Sequence, residues 1–296
     1  MDPGSISVVL PARNEAASLG GVLARIRAVL PDAELVVVDD GSTDATVSVA
    51  REQGAVVVSH PMGLGNGAAV KSGARAARGD VLVFLDADGQ HPPELIPELL
   101  AKLETGYDMA VGARSRAGQA SIGRAWANGL YNVFATWLTG QRILDLTSGF
   151  RAVRAAKFRR FLSLLPNGFS YPTTITMAFL RSGYPVAFVP AEVAQRQGRS
   201  HLSPLRDGVR FLLIIFKVAT LYAPLKLFFP ASIGLAGLGL LHYLRTYLLE
   251  GRFTNMSALL MSTGVVVFFV GLLSEQICTL TYATIAEPER NGSREP

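Results

Sequence analysis

The sequence predicts an α/β fold: a parallel sheet covered by helices on both faces, followed by an interfacial helical segment and two membrane-spanning helices. Three observations predict it. Short apolar runs alternate with segments of helical period through the first part of the chain. Acidic or glycine-rich turns follow those runs, at the carboxyl edge where a parallel sheet binds ligands. Hydrophobic residues make up 49% of the 296 positions, mean hydropathy is +0.31, and the excess is concentrated between Leu225 and Ala286.

The elements follow in order. Ser5 to Leu10 reads as a strand ending in Pro11-Ala12-Arg13-Asn14-Glu15, and Ala16 to Leu30 as a helix stopped by Pro31-Asp32. Glu34 to Val38 is the next strand, and Asp39-Asp40-Gly41-Ser42-Thr43-Asp44 turns it into a helix from about Ala45 to Gln53. Ala55 to Ser59 and a helix over Gly67 to Ala77 flank the turn Gly63-Leu64-Gly65-Asn66-Gly67. That turn is neither a Walker loop nor a dinucleotide fingerprint, so it reads either as a tight turn or as a phosphate cradle. The buried run Val81 to Leu85 leads into Asp86-Ala87-Asp88-Gly89-Gln90 and His91-Pro92-Pro93-Glu94. A helix to Leu103, a strand from Met109 to Val111 and the turn Gly112-Ala113-Arg114 come next, and a helix spans about Ser121 to Leu138.

Asp86 and Asp88, one small residue apart past a strand end, can reach one hard cation, and Gln90 adds a carbonyl oxygen. The same residues also suit a capped turn, with Gly89 at positive φ and Asp88 in an Asx-turn.

After residue 203 the character changes. Residues 204 to 224 interleave Arg206, Arg210 and Lys217 with apolar side chains, as an interfacial helix does. Leu225 to Leu244 and Ser257 to Ile277 are each long enough to cross ~30 Å of hydrocarbon. The connection from Arg245 to Asn255 makes them a hairpin. Residues 287 to 296 read as a disordered tail. Gly234, Gly237 and Gly239 would allow close helix approach and hint at a homo-oligomer, and Glu275 suits an interfacial position or a pair between subunits. The net charge of +5 is compatible with anionic lipid or phosphate partners. The single cysteine, Cys278, excludes an intramolecular disulfide and any multi-thiolate metal site. The first residues lack a basic n-region and a continuous apolar h-region, so no signal peptide is expected and the first domain should stay cytoplasmic.

In their order, Pro11 to Glu15, Asp39 to Ser42, Asp86 to Gln90, Gly112 to Arg114 and Asp145-Leu146-Thr147-Ser148-Gly149-Phe150-Arg151 resemble the signatures of family 2 glycosyltransferases. The similarity is greatest to dolichol-phosphate mannosyltransferases and bacterial polyprenyl-phosphate glycosyltransferases. The resemblance implies a Rossmann-like nucleotide-binding sheet of GT-A type over residues 1–203. It also implies inverting transfer of one sugar from a nucleoside diphosphate sugar to a polyprenyl phosphate at the cytoplasmic face of the cell (inner) membrane. Pro11, Arg13, Glu15, Asp39, Asp40 and Asp86 would lie beside the nucleotide, with Asp40 accepting a hydrogen bond from the base. Asp86, Asp88 and Gln90 would hold Mg²⁺ or Mn²⁺.

Arg114, Arg124, Asn128, Arg196 and Ser200 would face the acceptor phosphate, with Asp88, Arg114 and Arg124 carrying catalysis. No nucleic-acid partner is implied. The family commonly has Tyr at position 13, Lys at 66 and Ser at 128, where this chain has Arg13, Asn66 and Asn128. In the segment from Gln195 to Leu202, Arg199 and His201 stand where Glu and Lys are usual. Two rivals are a processive polysaccharide synthase of the same fold and a catalytically idle lipid-binding scaffold. The first would carry Arg before a signature Trp, and neither Trp126 nor Trp137 has it.

Overall fold

A computed structural model describes residues 5–114, 122–168, 170–191, 216 and 219–286, without the side chains of 122–128, 130 and 286. The chain forms two compact units, residues 1–202 and 203–296.

The first unit alternates as its apolar pattern dictates. β1 (Ile6–Ala12), α1 (Ala16–Val29), β2 (Glu34–Asp39), α2 (Thr46–Glu52), β3 (Val56–Ser59), α3 (Asn66–Ala76) and β4 (Val81–Phe84) come first. A short 3₁₀ turn at Pro93–Leu95, α4 (Ile96–Glu104), β5 (Met109–Arg114) and α5 (Ile122–Thr139) follow. β6 (Arg151–Arg154), α6 (Ala155–Arg160), α7 (Tyr171–Arg181) and β7 (Val186–Ala191) complete it. The seven strands pair in the order β3-β2-β1-β4-β6-β5-β7.

The sheet is not wholly parallel. β6 runs antiparallel between β4 and β5, with Val83 opposite Ala152 and Ala110 also opposite Ala152, while the other pairs are parallel. The expectation of a parallel sheet therefore holds on either side of β6 but not at it. The strand is four residues long and carries Arg at both ends, so its polarity pattern gives no hint of a central position.

The two sheet faces pack differently. Val8, Leu10, Leu35, Val37 and Val83 meet Leu19, Leu23 and Ile26 of α1 and Ile96, Leu99 and Leu103 of α4 in one continuous core. On the other face, α3 lies directly on β1 and β2: a Cβ at Gly73 would fall 2.3 Å from Val9 Cγ1 and 3.0 Å from Val38 Cγ2. Phe84 stacks on Phe158 at 4.8 Å between ring centroids. β1 stands between β2 and β4, so the crossovers diverge there and open a crevice at the carboxyl edge.

The second unit contains α8 (Pro224–Glu250) and α9 (Asn255–Ala286), both long and apolar enough to cross a membrane. The first expected span, Leu225 to Leu244, is extended. α8 runs on through Arg245 because no residue breaks it before Gly251, which adopts φ 67°. Gly239 packs on Met261, Gly264 on Ser232 and Ala236, and Gly271 on Phe228, so small residues set the close approach within the hairpin. Gly234 and Gly237 face open space. Glu275 finds its partner inside the chain: its Oε2 accepts the Leu225 backbone N–H at 3.2 Å, at the start of α8.

Candidate functional site

The turns after β1, β2, β3, β4 and β5 gather at one edge of the sheet through side chain to backbone hydrogen bonds. Asn14 adopts φ 56°, a conformation Asn tolerates better than other residues with a Cβ. Its Oδ1 accepts from Thr43 N at 2.8 Å, and its own N–H donates to Ser42 Oγ at 2.9 Å. Asp39 Oδ1 accepts from Ser42 N at 2.9 Å, which closes the second turn. Glu15 N donates to Thr46 Oγ1, and Ser18 Oγ lies 2.9 Å from both Glu15 Oε2 and the Ala87 carbonyl oxygen. The first turn is thereby tied to the second and to the Asp86–Gln90 turn. Pro11 is half-buried beside them.

Asp40 organises the glycine-rich turn. It is buried, and its Oδ1 accepts from Leu64 N at 2.8 Å while its Oδ2 accepts from Gly65 N at 2.9 Å. His60 Nδ1 lies 2.8 Å from Oδ1, and His60 Nε2 lies 2.9 Å from Ser72 Oγ. Burial pushes the Asp40 carboxyl up, but the His60 contact and the two backbone N–H groups bring it below its ordinary value. Expected to meet a base, Asp40 is thus already engaged by three protein groups.

The two readings of Gly63–Gly67 are now separable. Leu64 N and Gly65 N bond Asp40, and just beyond the turn Ala68 N bonds the Asn167 carbonyl, while Gly63 and Leu64 stay exposed. The Leu64 and Gly65 amides therefore serve the turn itself and are not offered to a phosphate. A Cβ at Gly67 would lie 2.1 Å from the Pro166 carbonyl oxygen, and one at Gly63 would lie 2.4 Å from Arg13 Nη1. The exposed Arg13 therefore lays its guanidinium against the Gly63 backbone.

At the end of β4, Gly89 has φ 75° and Asp88 Oδ1 accepts from Gln90 N at 3.1 Å, so the turn has the Asx geometry that its residues predict. Gln90 Nε2 also donates to Asp88 Oδ2. Asp86 and Asp88 are both partly open to solvent. Among the described residues no three His, Cys, Asp or Glu side chains cluster as a metal-ligand set, so the protein offers a cation these two carboxylates and the Gln90 amide. The buried His91 lies behind them, with Nε2 3.4 Å from Asp86 Oδ2 and its ring 5.2 Å from that of Phe150.

Arg114, at the end of β5, grips Asp145 with Nε to Oδ2 at 2.8 Å and Nη2 to Oδ1 at 3.2 Å. Burial opposes the Arg114 charge, but the Asp145 hydrogen bonds and charge, with Asp86 adding to them, raise its pKa. Burial likewise pushes Asp145 up, and Arg114 together with the Thr147 and Arg114 N–H groups brings it below the ordinary carboxylate range. Ser148 Oγ donates to the Gly112 carbonyl at 2.6 Å, so the Asp145–Arg151 segment is tied to β5. Arg151 is fully buried, donates to the Ser148 and Pro172 carbonyls and to Thr176 Oγ1, and stands 5.8 Å from the Tyr171 ring centre. A Cβ at Gly149 would be 3.5 Å from both Tyr171 Oη and Asp86 Oδ2, which places Tyr171, Gly149 and Asp86 together.

The structure thus brings together Pro11, Arg13, Glu15, Asp39, Asp40, Asp86, Asp88, Gln90 and Arg114. Arg124 and Asn128 fall on α5, but their side chains lie outside the described residues, as do Arg196 and Ser200 altogether. Sequence reasoning assigned no role to His91, Arg151 or Tyr171. His91 directly follows one recognised motif and Arg151 ends another, and Tyr171 carried no signal because only the tertiary fold returns α7 to this edge.

Comparisons with known proteins accord with this arrangement. The model of the glycosyl transferase family 2 matches residues 7–162, and that of the GtrB C-terminal hairpin matches residues 223–280. An undecaprenyl-phosphate 4-deoxy-4-formamido-L-arabinose transferase of Pseudomonas fluorescens is 33% identical over 303 residues, covering 92% of this chain and 84% of the relative. Its counterpart in Shewanella sediminis is 30% identical over 304 residues, covering 92% and 86%. Among solved structures, glucosyl-3-phosphoglycerate synthase of Mycobacterium tuberculosis with Mn²⁺, UDP and glucosyl-3-phosphoglycerate aligns with a TM-score of 0.57. It is 27% identical and covers 73% of this chain and 79% of that one. The same enzyme with Mn²⁺ and UDP-glucose gives 0.57 at 26% identity, covering 73% and 78%. A match over more than half of the chain, together with relatives that align along nearly all of it, makes this protein a member of glycosyl transferase family 2.

Proposed function

We propose that this enzyme transfers a single sugar, with inversion, from a nucleoside diphosphate sugar to a polyprenyl phosphate at the cytoplasmic face of the cell (inner) membrane. One observation carries the reading: Asp86, past the end of β4, and Arg114, at the end of β5, stand on either side of β6 and close enough for the Asp86 charge to raise the Arg114 pKa. The crevice can therefore receive a metal-bound diphosphate and a second phosphate together. The relatives named as undecaprenyl-phosphate sugar transferases and the matched hairpin support the lipid acceptor. Residues 1–203 would be the catalytic domain, 204–224 an interfacial helix, 225–286 the membrane hairpin and 287–296 a tail.

Asp86 and Asp88 fit Mg²⁺ or Mn²⁺. Such a cation commonly takes one or two carboxylates plus water and substrate phosphate oxygens, which matches a site offering two carboxylates and, among the described residues, no third acidic ligand. When bound, the cation would neutralise charge on the leaving diphosphate. Gln90 fits as a ligand if its amide turns its oxygen outward, away from the present Nε2 contact with Asp88. Pro11, Arg13, Glu15 and Asp39 line the nucleotide side, and Asp40 acts there by fixing the Gly63–Gly67 turn. Arg114 would hold the acceptor phosphate, with Arg124, Asn128, Arg196 and Ser200. That phosphate is ionised at pH 7 and needs no strong base, so positioned charge supplies the catalytic advantage.

The test is a transfer assay in membranes containing the protein, with a panel of labelled nucleotide sugars and detection of a lipid-extractable product. Asp88→Asn keeps the shape of the turn and removes a charge. It should abolish turnover with the fold intact, and near-normal activity at saturating Mn²⁺ would sink the metal assignment.

A further inference from the structure

We infer that His91 is a positioning residue for Asp86, its Nε2 holding one carboxylate oxygen so that the other faces the incoming cation. This rests on the metal reading given above. His91 is 6% exposed, and its Nε2 lies 3.4 Å from Asp86 Oδ2. Its Nδ1 is buried without a hydrogen-bond partner among the described residues. An unpaired buried polar nitrogen is destabilising, so an apolar side chain would serve the packing better if packing were the whole role.

The ring is fixed from the far side. Phe150 stands 5.2 Å away, and its own ring lies against Gly112, where a Cβ would fall 2.7 Å from Phe150 Cδ1. Pro92 and Pro93 follow immediately and limit the backbone. The imidazole is thus packed against Phe150 while its Nε2 faces Asp86 Oδ2. Nε2 is the ring nitrogen that faces Asp86 Oδ2, and Nδ1 is the one left unpaired. Outer partners of this kind orient metal-binding carboxylates.

The experiment uses the full-length protein in detergent and follows Mn²⁺ alone, through the electron paramagnetic resonance signal of the free ion. Asn places its amide nitrogen where Nδ1 is and cannot reach Asp86, whereas Gln can place one near Nε2. His91→Asn should weaken Mn²⁺ binding about 10–100-fold, and His91→Gln should stay within about threefold of the parent. His91→Phe keeps a ring against Phe150 and should show the same loss, which covers the case in which the Asn variant does not fold. Parent-like affinity in the Asn or Phe variant would overturn the inference, as would equal loss in the Gln variant. A fall in Tm without a fall in affinity would mark His91 as structural only. If the parent protein binds no Mn²⁺, the metal reading itself fails, a result separate from the others.

Discussion

At the scale of single residues, the site is made of carboxylates and guanidinium groups whose charges are fixed by one another. Asp145 shows the consequence. Its carboxyl is held below its ordinary value in the folded chain, so its stabilisation is complete above the unfolded pKa of about 4 and is lost as pH falls through the folded one. Asp145→Asn should cost ~2 kcal/mol at pH 7, a charged hydrogen bond's worth, because Arg114 keeps some contact with water. The variant should also lose less of its remaining stability between pH 6 and pH 3 than the parent, and Tm measured across that range checks the sign. Arg124 gives a second prediction. If it holds the acceptor phosphate by a bidentate pair, Arg124→Lys should raise KM for polyprenyl phosphate or lower kcat, with nucleotide-sugar affinity unchanged. A parallel loss of nucleotide-sugar binding would move Arg124 to the donor side.

At the scale of elements, close approach decides more than propensity. The start of α3 lies against Pro166–Gly168, and the 2.1 Å that a Cβ at Gly67 would leave to the Pro166 carbonyl oxygen excludes any side chain there. Gly67→Ala should destabilise the catalytic unit by ~1–3 kcal/mol. Chemical denaturation should show a lowered midpoint, and an unchanged midpoint would mean that the 166–168 segment yields freely. The glycine-rich turn looked ambiguous in sequence because glycine serves tight turns and anion cradles equally. Tertiary contacts weigh toward the turn by engaging two of its amides, Leu64 N and Gly65 N, with Asp40 and, just beyond, Ala68 N with the Asn167 carbonyl.

At the scale of the whole molecule, the chain divides into a unit whose sheet is covered by helices and a hairpin whose apolar side chains face outward. Leu238, Leu241, Val266, Leu273 and Ile277 are all exposed on α8 and α9, a distribution that suits lipid and not water. Truncation after about Pro204 should yield a soluble domain that binds nucleotide but transfers poorly to long-chain lipid. The domain's solubility without detergent and its nucleotide affinity by calorimetry check this. If the full-length protein partitions into the aqueous phase, the membrane spans are wrong.

Sequence by itself determined the local elements and the ligand edge. Strand runs such as Val81 to Leu85 and turn residues such as Asp88-Gly89 act through near neighbours, and their period is written in the chain. It also marked Asp86, Asp88 and Arg114 through the order of the motifs and the family they resemble, because an Asp-Gly turn by itself suits local capping just as well. Only the tertiary structure decided where β6 lies, why Arg151 is buried, and that His91, Tyr171 and Gly149 converge on Asp86. The β4–β6 pairing and the approach of Gly149 and Tyr171 to Asp86 join segments some 60 to 85 residues apart. No local period encodes such a pairing. It is selected by the shape and charge of a site that exists only after the sheet has closed around it.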